Sequence, residues 1–265
     1  MKRIILLLIS AVFCLGITRA QTAEDLLQKG AYAIGDDNYE EAKFYFEKAA
    51  ELGSGEACGF LALGYLHGIY EGGRNLSLAS QWATKGAAKK DGTSTYALGI
   101  MNFYMADSKK EKAESLDLLL YGYNNGSPSS SVGNLIAVCY LLKGKHDDAK
   151  NWAIVIKDKE KDEEDKDDYY TASAILAKIL LDEKDYTSAM VEGLDAANYG
   201  DPLAQYVVGR SQIKLDFYPS TGKNRVYKAT QYKYIPFTDI DVFADEIQEY
   251  YNTIRYKEFK DKPLF

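Results

Sequence analysis

The side chains able to do chemistry are few and scattered. The chain has two histidines, His67 and His146, far apart in sequence and each close to an expected loop, so a histidine metal site or a Ser-His-Asp relay has little to assemble from. No HExxH, paired CxxC or phosphate-cradling GxxxxGK[ST] occurs. Ser220-Thr221-Gly222-Lys223 has the SxxK spacing that puts a lysine one helical turn from a serine nucleophile in penicillin-binding enzymes. Pro219 and Gly222 argue against a helix there, and the partner motifs SDN and KTG are missing. The charged run 158–168 has carboxylates enough for calcium, but it mixes in Lys159, Lys161 and Lys166 and lacks the EF-hand glycine, which favours a solvated loop or helix extension. Gly53-Ser54-Gly55 with Gly59 follows a helix, whereas a dinucleotide loop must follow a strand. The expectation is therefore no catalytic residue, no metal ligand and no cofactor.

What the sequence does contain is a repeating device for positioning side chains. In residues 40–68, Ala42, Tyr45, Phe46, Ala49 and Ala50 recur at helical spacing, Gly53 closes that helix, and Ala57, Leu61, Gly64 and Tyr65 open the next. With Ala42 as position 1, Leu61-Ala62 falls at 20 and 21. The same nineteen-residue step leads from Ala79 to Leu98-Gly99, from Ala113 to Val132-Gly133 and from Ala189 to Val208-Gly209. From Ala149 the equivalent pair, Leu176-Ala177, arrives eight residues late, with the run 158–168 in the interval. A period in the mid-thirties predicts a solenoid whose stacked units share one core. Glycine inside a helix costs about 1 kcal/mol against alanine, so its return as Gly99, Gly133 and Gly209 predicts close approach of helix backbones. Helices are expected over 22–34, 39–52, 56–68, 76–90, 93–106, 109–123, 129–142, 147–157, 169–181, 186–198 and 202–215. After Leu215 the periodicity ends. Residues 217–238 read as extended or irregular, and a last helix over 239–257 groups Val242, Ile247, Tyr250, Tyr251 and Ile254 on an apolar face that seals the final repeat.

The order Ala57-xxx-Leu61-Ala62-xx-Tyr65-xx-Gly68, then Ala79-xx-Trp82-xx-Lys85-Gly86-Ala87, resembles the Sel-one-like repeat (SLR) family, a close relative of the tetratricopeptide repeat. Ala196-Ala197, Gly200, Ala204 and Val208-Gly209 fit the same pattern, and Gly30, Ala42, Phe46 and Ala49 match a tetratricopeptide unit. The likeness covers about residues 22–214. It implies an all-α fold, a right-handed α-α superhelix, to which the sequence adds the irregular segment and the C-terminal capping helix. It also implies a scaffold or adaptor in which the first helix of each pair lines a concave surface. By register, Tyr96, Phe103, Asn134, Lys178, Tyr206 and Arg210 would point into that groove. Such an aromatic and cationic strip suits an extended peptide or a helix with acidic ends. Two other states are open: a groove filled by this chain's own residues 217–238, or one that is merely wet. Of the 22 tyrosines, Tyr45 and Tyr65 are expected in the core, as are Trp82 and Trp152 at frame position 4.

Residues 1–20 stand apart. Lys2-Arg3, an apolar run over 4–17 and the small-residue exit at Ala20 have the order of a secretory signal. Cleavage after Ala20 is expected, with the protein then periplasmic or secreted. The run is shorter than the roughly 20 apolar residues of a membrane span, and bulky Phe13 before Cys14 disfavours a lipoprotein. Cleavage removes three positive charges and no acid, taking the net charge from -7 to -10. An acidic chain is a poor partner for nucleic acid or an anionic membrane, and no second long apolar segment suggests insertion. Cys58 and Cys139, at frame positions 17 and 27, are expected as buried free thiols. The divisions are thus 1–20, signal peptide; 21–215, helical repeats; 216–265, linker and cap. The leading functional expectation is an exported, non-enzymatic scaffold holding a protein or peptide partner in its groove. The alternative is a cell-wall or glycan-binding module, and a weak hydrolase of a cell-wall or β-lactam substrate comes third.

Overall fold

The computed structural model describes residues 22–126, 128–231 and 242–260, with side chains to residue 255. Fourteen α-helices and no strands occur among them. The chain divides into two units, 1–94 and 95–265. The signal-peptide expectation falls on residues outside those described.

The N-terminal unit is two helix hairpins, α1 (Ala23–Gly35) with α2 (Tyr39–Glu51) and α3 (Gly55–His67) with α4 (Leu76–Ala87). Local chemistry sets their ends. Thr22 and Asp25 form a reciprocal capping box at the start of α1. Ser54 and Asn75 accept from the backbone N–H groups of Ala57 and Leu78 at the starts of α3 and α4. Gly53 and Gly68 then turn the chain in the left-handed region, at φ 103° and 73°. Ala42, Ala49, Ala57, Leu61, Ala79 and Ala83 are all fully buried, which places the small residues of the repeat frame at the helix crossings. Gly86 shows why they are small: the Ser94 hydroxyl, donating to the carbonyl of Gly55 at 2.8 Å, lies where a Cβ of residue 86 would stand.

Helix α5 (Gly92–Met105) leads into the C-terminal unit. There follow α6 (Lys109–Glu114) and α7 (Leu116–Asn125), the broken second half of a third pair that meets α5 where Leu119 lies against Gly99, then the pairs α8 (Ser130–Leu142) with α9 (His146–Glu160), α10 (Asp167–Asp182) with α11 (Tyr186–Tyr199), and α12 (Pro202–Lys214) with α13 (Pro219–Thr230). Helix α14 (Ala244–Lys260) comes last, entered through a single turn at Val242 and Phe243. The helix expected over 109–123 is interrupted at Ser115, whose side chain is buried. The charged run is shared between the last turn of α9, a short loop and the first turn of α10. Helix α10 packs on both α8 and α12, so the first helices of successive pairs lie side by side.

The frame glycines have equivalent surroundings. A Cβ on Gly99 would meet Leu119, one on Gly133 would meet Ile156, and one on Gly209 would meet the carbonyl oxygen of Gly222 at 2.6 Å. Each thus faces the second helix of its own pair.

One expectation is corrected. Residues 219–230, read as part of an irregular linker, form α13, the second helix of a sixth pair. Pro219 occupies the first turn, where its missing N–H is no loss. Gly222 is the crossing residue opposite Gly209. Residues 232–241 lie outside those described.

Candidate partner-binding surfaces

The six residues expected to line a groove fall in the C-terminal unit, and the structure buries five of them: Tyr96, Phe103, Asn134, Lys178 and Tyr206. Arg210 is half-buried. Phe103 lies beneath Lys112, whose ammonium sits 5.1 Å from the ring centroid and donates to the Phe103 carbonyl at 2.9 Å. Asn134 donates to the backbone carbonyl and carboxylate of Asp168 at 3.0 and 3.1 Å, tying α8 to the start of α10. Burial raises the Asp168 carboxyl above its usual range, against the pull of that hydrogen bond. These three belong to the packing of the unit and present nothing to a partner.

Lys178, Tyr206 and Arg210 do converge, and what they hold is the chain's own C-terminal helix. The Tyr206 hydroxyl donates to Glu246 Oε1 at 2.8 Å and accepts from Arg210 Nη1 at 2.5 Å. Arg210 also reaches Glu246 Oε1 at 3.4 Å, and Lys178 Nζ stands 3.3 Å from Glu246 Oε2. Aromatic rings flank this clasp. Lys178 lies 5.3 Å from the centroid of Phe243, and the Arg210 guanidinium lies 4.8 Å from that of Tyr250. Tyr250 meets Tyr206 edge-on at 5.8 Å. Burial, with the Glu246 carboxylate beside it, pushes the Tyr206 phenol up, so it remains a donor across ordinary pH. Of residues 217–238, the stretch expected to fill a groove, 217–231 form the turn into α13 and α13 itself and 232–238 lie outside those described; the helix over these side chains is α14.

A second surface, in the N-terminal unit, escaped the repeat register. Between α1 and α3 lies an open cavity of about 320 Å³, walled by Ala31, Ile34, Phe60, Leu63, Ile69 and Tyr70, with Phe46 at its base and His67 beside it. Its shape follows from two glycines. The Phe46 ring lies over Gly30 and stacks on Phe60, centroids 5.0 Å apart and 21° between planes. The Tyr70 ring lies over Gly64, and its hydroxyl donates to the Phe60 carbonyl at 3.3 Å. His67, read from sequence as a solvated helix end, is exposed at the cavity rim. The apolar wall beside it and then the Arg74 charge lower the pKa of its imidazole, exposed as the rim is.

Little else gathers. Among the described residues no group of three His, Cys, Asp or Glu side chains could hold a metal ion, and no helix is long and apolar enough to cross a membrane. Cys58 and Cys139 are buried free thiols, and burial pushes the Cys58 thiol up, away from the reactive thiolate. Ser220 and Lys223 do share a helix turn in α13, but Ser220 is solvent-exposed.

No protein-family model matches the chain, and no curated protein does. Solved structures do align with it. The crystal structure of a Sel1 repeat protein from Oxalobacter formigenes aligns with 91% of this chain and 76% of its own length, at 18% identity and a TM-score of 0.47. That of c5321, a protective antigen present in uropathogenic Escherichia coli strains and displaying an SLR fold, aligns with 80% of this chain, at 19% identity and a TM-score of 0.48. The chain covers about half (54%) of that second protein.

Proposed function

We propose that the chain is an exported, non-enzymatic repeat scaffold that binds a protein or peptide partner, with an apolar anchor side chain of that partner seated in the cavity of the N-terminal unit. The observation behind this reading is the cavity itself: about 320 Å³, open, and walled almost wholly by apolar side chains on two stacked hairpins. Concave apolar sites on a rigid frame are where anchor residues dock. Tyr96 and Tyr206 are buried and so offer a glycan no platform.

Panning a peptide library on the whole protein is expected to enrich sequences with a leucine, phenylalanine or tryptophan anchor. Leu63→Arg, which puts a charge in the cavity wall at a position already part-exposed, is expected to weaken those peptides about tenfold or more, with the melting temperature unchanged. Equal binding by the variant removes the cavity from the reading.

Export rests on the order Lys2-Arg3, apolar run and Ala20. The full chain expressed in a bacterium is expected to yield a periplasmic or secreted product whose first residue is Gln21. Recovery of an intact Met1 product from the cytoplasm alone would defeat this part of the proposal.

A further inference from the structure

The clasp around Glu246 has the form of a ligand site. Phe243, in the turn before α14, and Glu246 and Tyr250 on the helix make these contacts, and with the buried Ile247 they complete the i, i+3, i+4, i+7 stripe by which an amphipathic helix docks. Beyond that stripe the helix packs on α13, where Tyr251 meets Tyr227 with ring centroids 5.8 Å apart. Of the side chains described over 242–255, only Val242, Phe243 and Ile247 are buried, whereas α12 buries nine of its thirteen residues.

The seat beneath it is also equipped to stand open. Lys178 keeps a carboxylate on its own helix, Asp182, at 2.6 and 2.7 Å, and Arg210 keeps the Tyr206 hydroxyl. Departure of α14 therefore strands no buried cation without a polar partner, the situation that makes breaking a buried pair so costly. A permanent seal would be better served by apolar side chains than by two cations and a phenol gathered on one carboxylate.

We propose that this face of α10 and α12 binds an amphipathic helix of a partner protein, one with a carboxylate flanked by large apolar side chains at i−3, i+1 and i+4, and that α14 is a resident helix the partner displaces. The charge on the seat selects the carboxylate, and the resident lowers the apparent affinity by the fraction of time it occupies the seat. This surface lies in the C-terminal unit and does not depend on the cavity between α1 and α3.

The test uses the full-length chain and a fluorescent synthetic peptide of residues 242–260. Phe243→Asp with Ile247→Asp in the protein releases the resident and is expected to tighten peptide binding about tenfold or more over wild type. Glu246→Arg in the peptide, or Arg210→Glu added to the released protein, is expected to abolish that gain. A released protein that melts cooperatively yet takes up no peptide overturns the proposal, and so does one that no longer folds. Hydrogen exchange on the unaltered protein gives an independent check: amides of α14 are expected to lose protection well before those of α12, and equal protection overturns a displaceable helix. A concentration-dependent dimer of wild type, lost on Phe243→Asp with Ile247→Asp, would make a second copy of this chain the occupant and overturn the assignment to a different protein.

Discussion

Phe46→Ala is expected to destabilise the N-terminal unit by about 3–5 kcal/mol, the cost of deleting a buried aromatic ring whose site cannot collapse. The ring is 1% exposed and touches structure on opposite sides. One side lies against the backbone of Gly30, where a Cβ would come within 2.4–2.9 Å of its carbons, and the other stacks on Phe60. Neither neighbour can close the gap. Gly30 has no side chain to extend, and the Phe60 ring could reach the gap only by leaving its place in the cavity wall. The void would instead merge with the cavity that Phe46 already borders, so the energy lost with the ring's contacts is not recovered by repacking. Denaturant unfolding with hydrogen exchange followed over residues 22–94 measures the loss. A change below about 1 kcal/mol, which is ordinary for a surface position, would show that the ring is dispensable.

The repeat was legible because its signal is local. Small residues at a nineteen-residue step mark crossings within one hairpin, and Gly99, Gly133 and Gly209 all meet the second helix of their own pair. The sixth pair was legible too, but it was written in residues that also break helices. Gly222, Val226 and Ala229 repeat the spacing of Ala42, Phe46 and Ala49 and of Ala189, Gly193 and Ala196. All of these except Gly193 and Gly222 are among the buried hydrophobic residues, and both glycines are buried as well. Weighing Pro219 and Gly222 by propensity alone hid the periodicity, although proline in a first turn and glycine at a crossing are both compatible with a helix.

The candidate surfaces were less legible, for a different reason. Register says which side of a helix Tyr206 and Arg210 occupy, but their partner Glu246 is 40 and 36 residues further along the chain. Nothing local decides what covers a face. A trace existed: Glu246 interrupts the apolar stripe of Val242, Ile247 and Tyr250, and an acid in such a place needs a cation opposite. The cavity between α1 and α3 left none, since a gap is a property of how two helices meet.

Gly209→Val is expected to cost about 2–3 kcal/mol by overpacking, and the reason lies in what the new side chain would strike. Its Cβ would stand 2.6 Å from the carbonyl oxygen of Gly222 and 3.0 Å from Arg225 Cβ and Val226 Cγ2. The closest of these is backbone, which no rotamer change can move aside. The approach is reciprocal, for a Cβ on Gly222 would lie 2.6 Å from the Gly209 carbonyl oxygen. The two helices therefore touch main chain to main chain, and relief requires α13 to shift bodily off α12, exposing Val226 and Ala229, both now buried. Gly35 supplies the control. It ends α1 with nothing within 4 Å of a Cβ, so Gly35→Val should change stability by no more than about 0.5 kcal/mol. Hydrogen exchange over 202–230 separates the cases: early loss of protection in α13 of the Gly209 variant alone is expected, and equal tolerance at the two sites would mean that the recurring glycines of this frame are not there to let backbones meet.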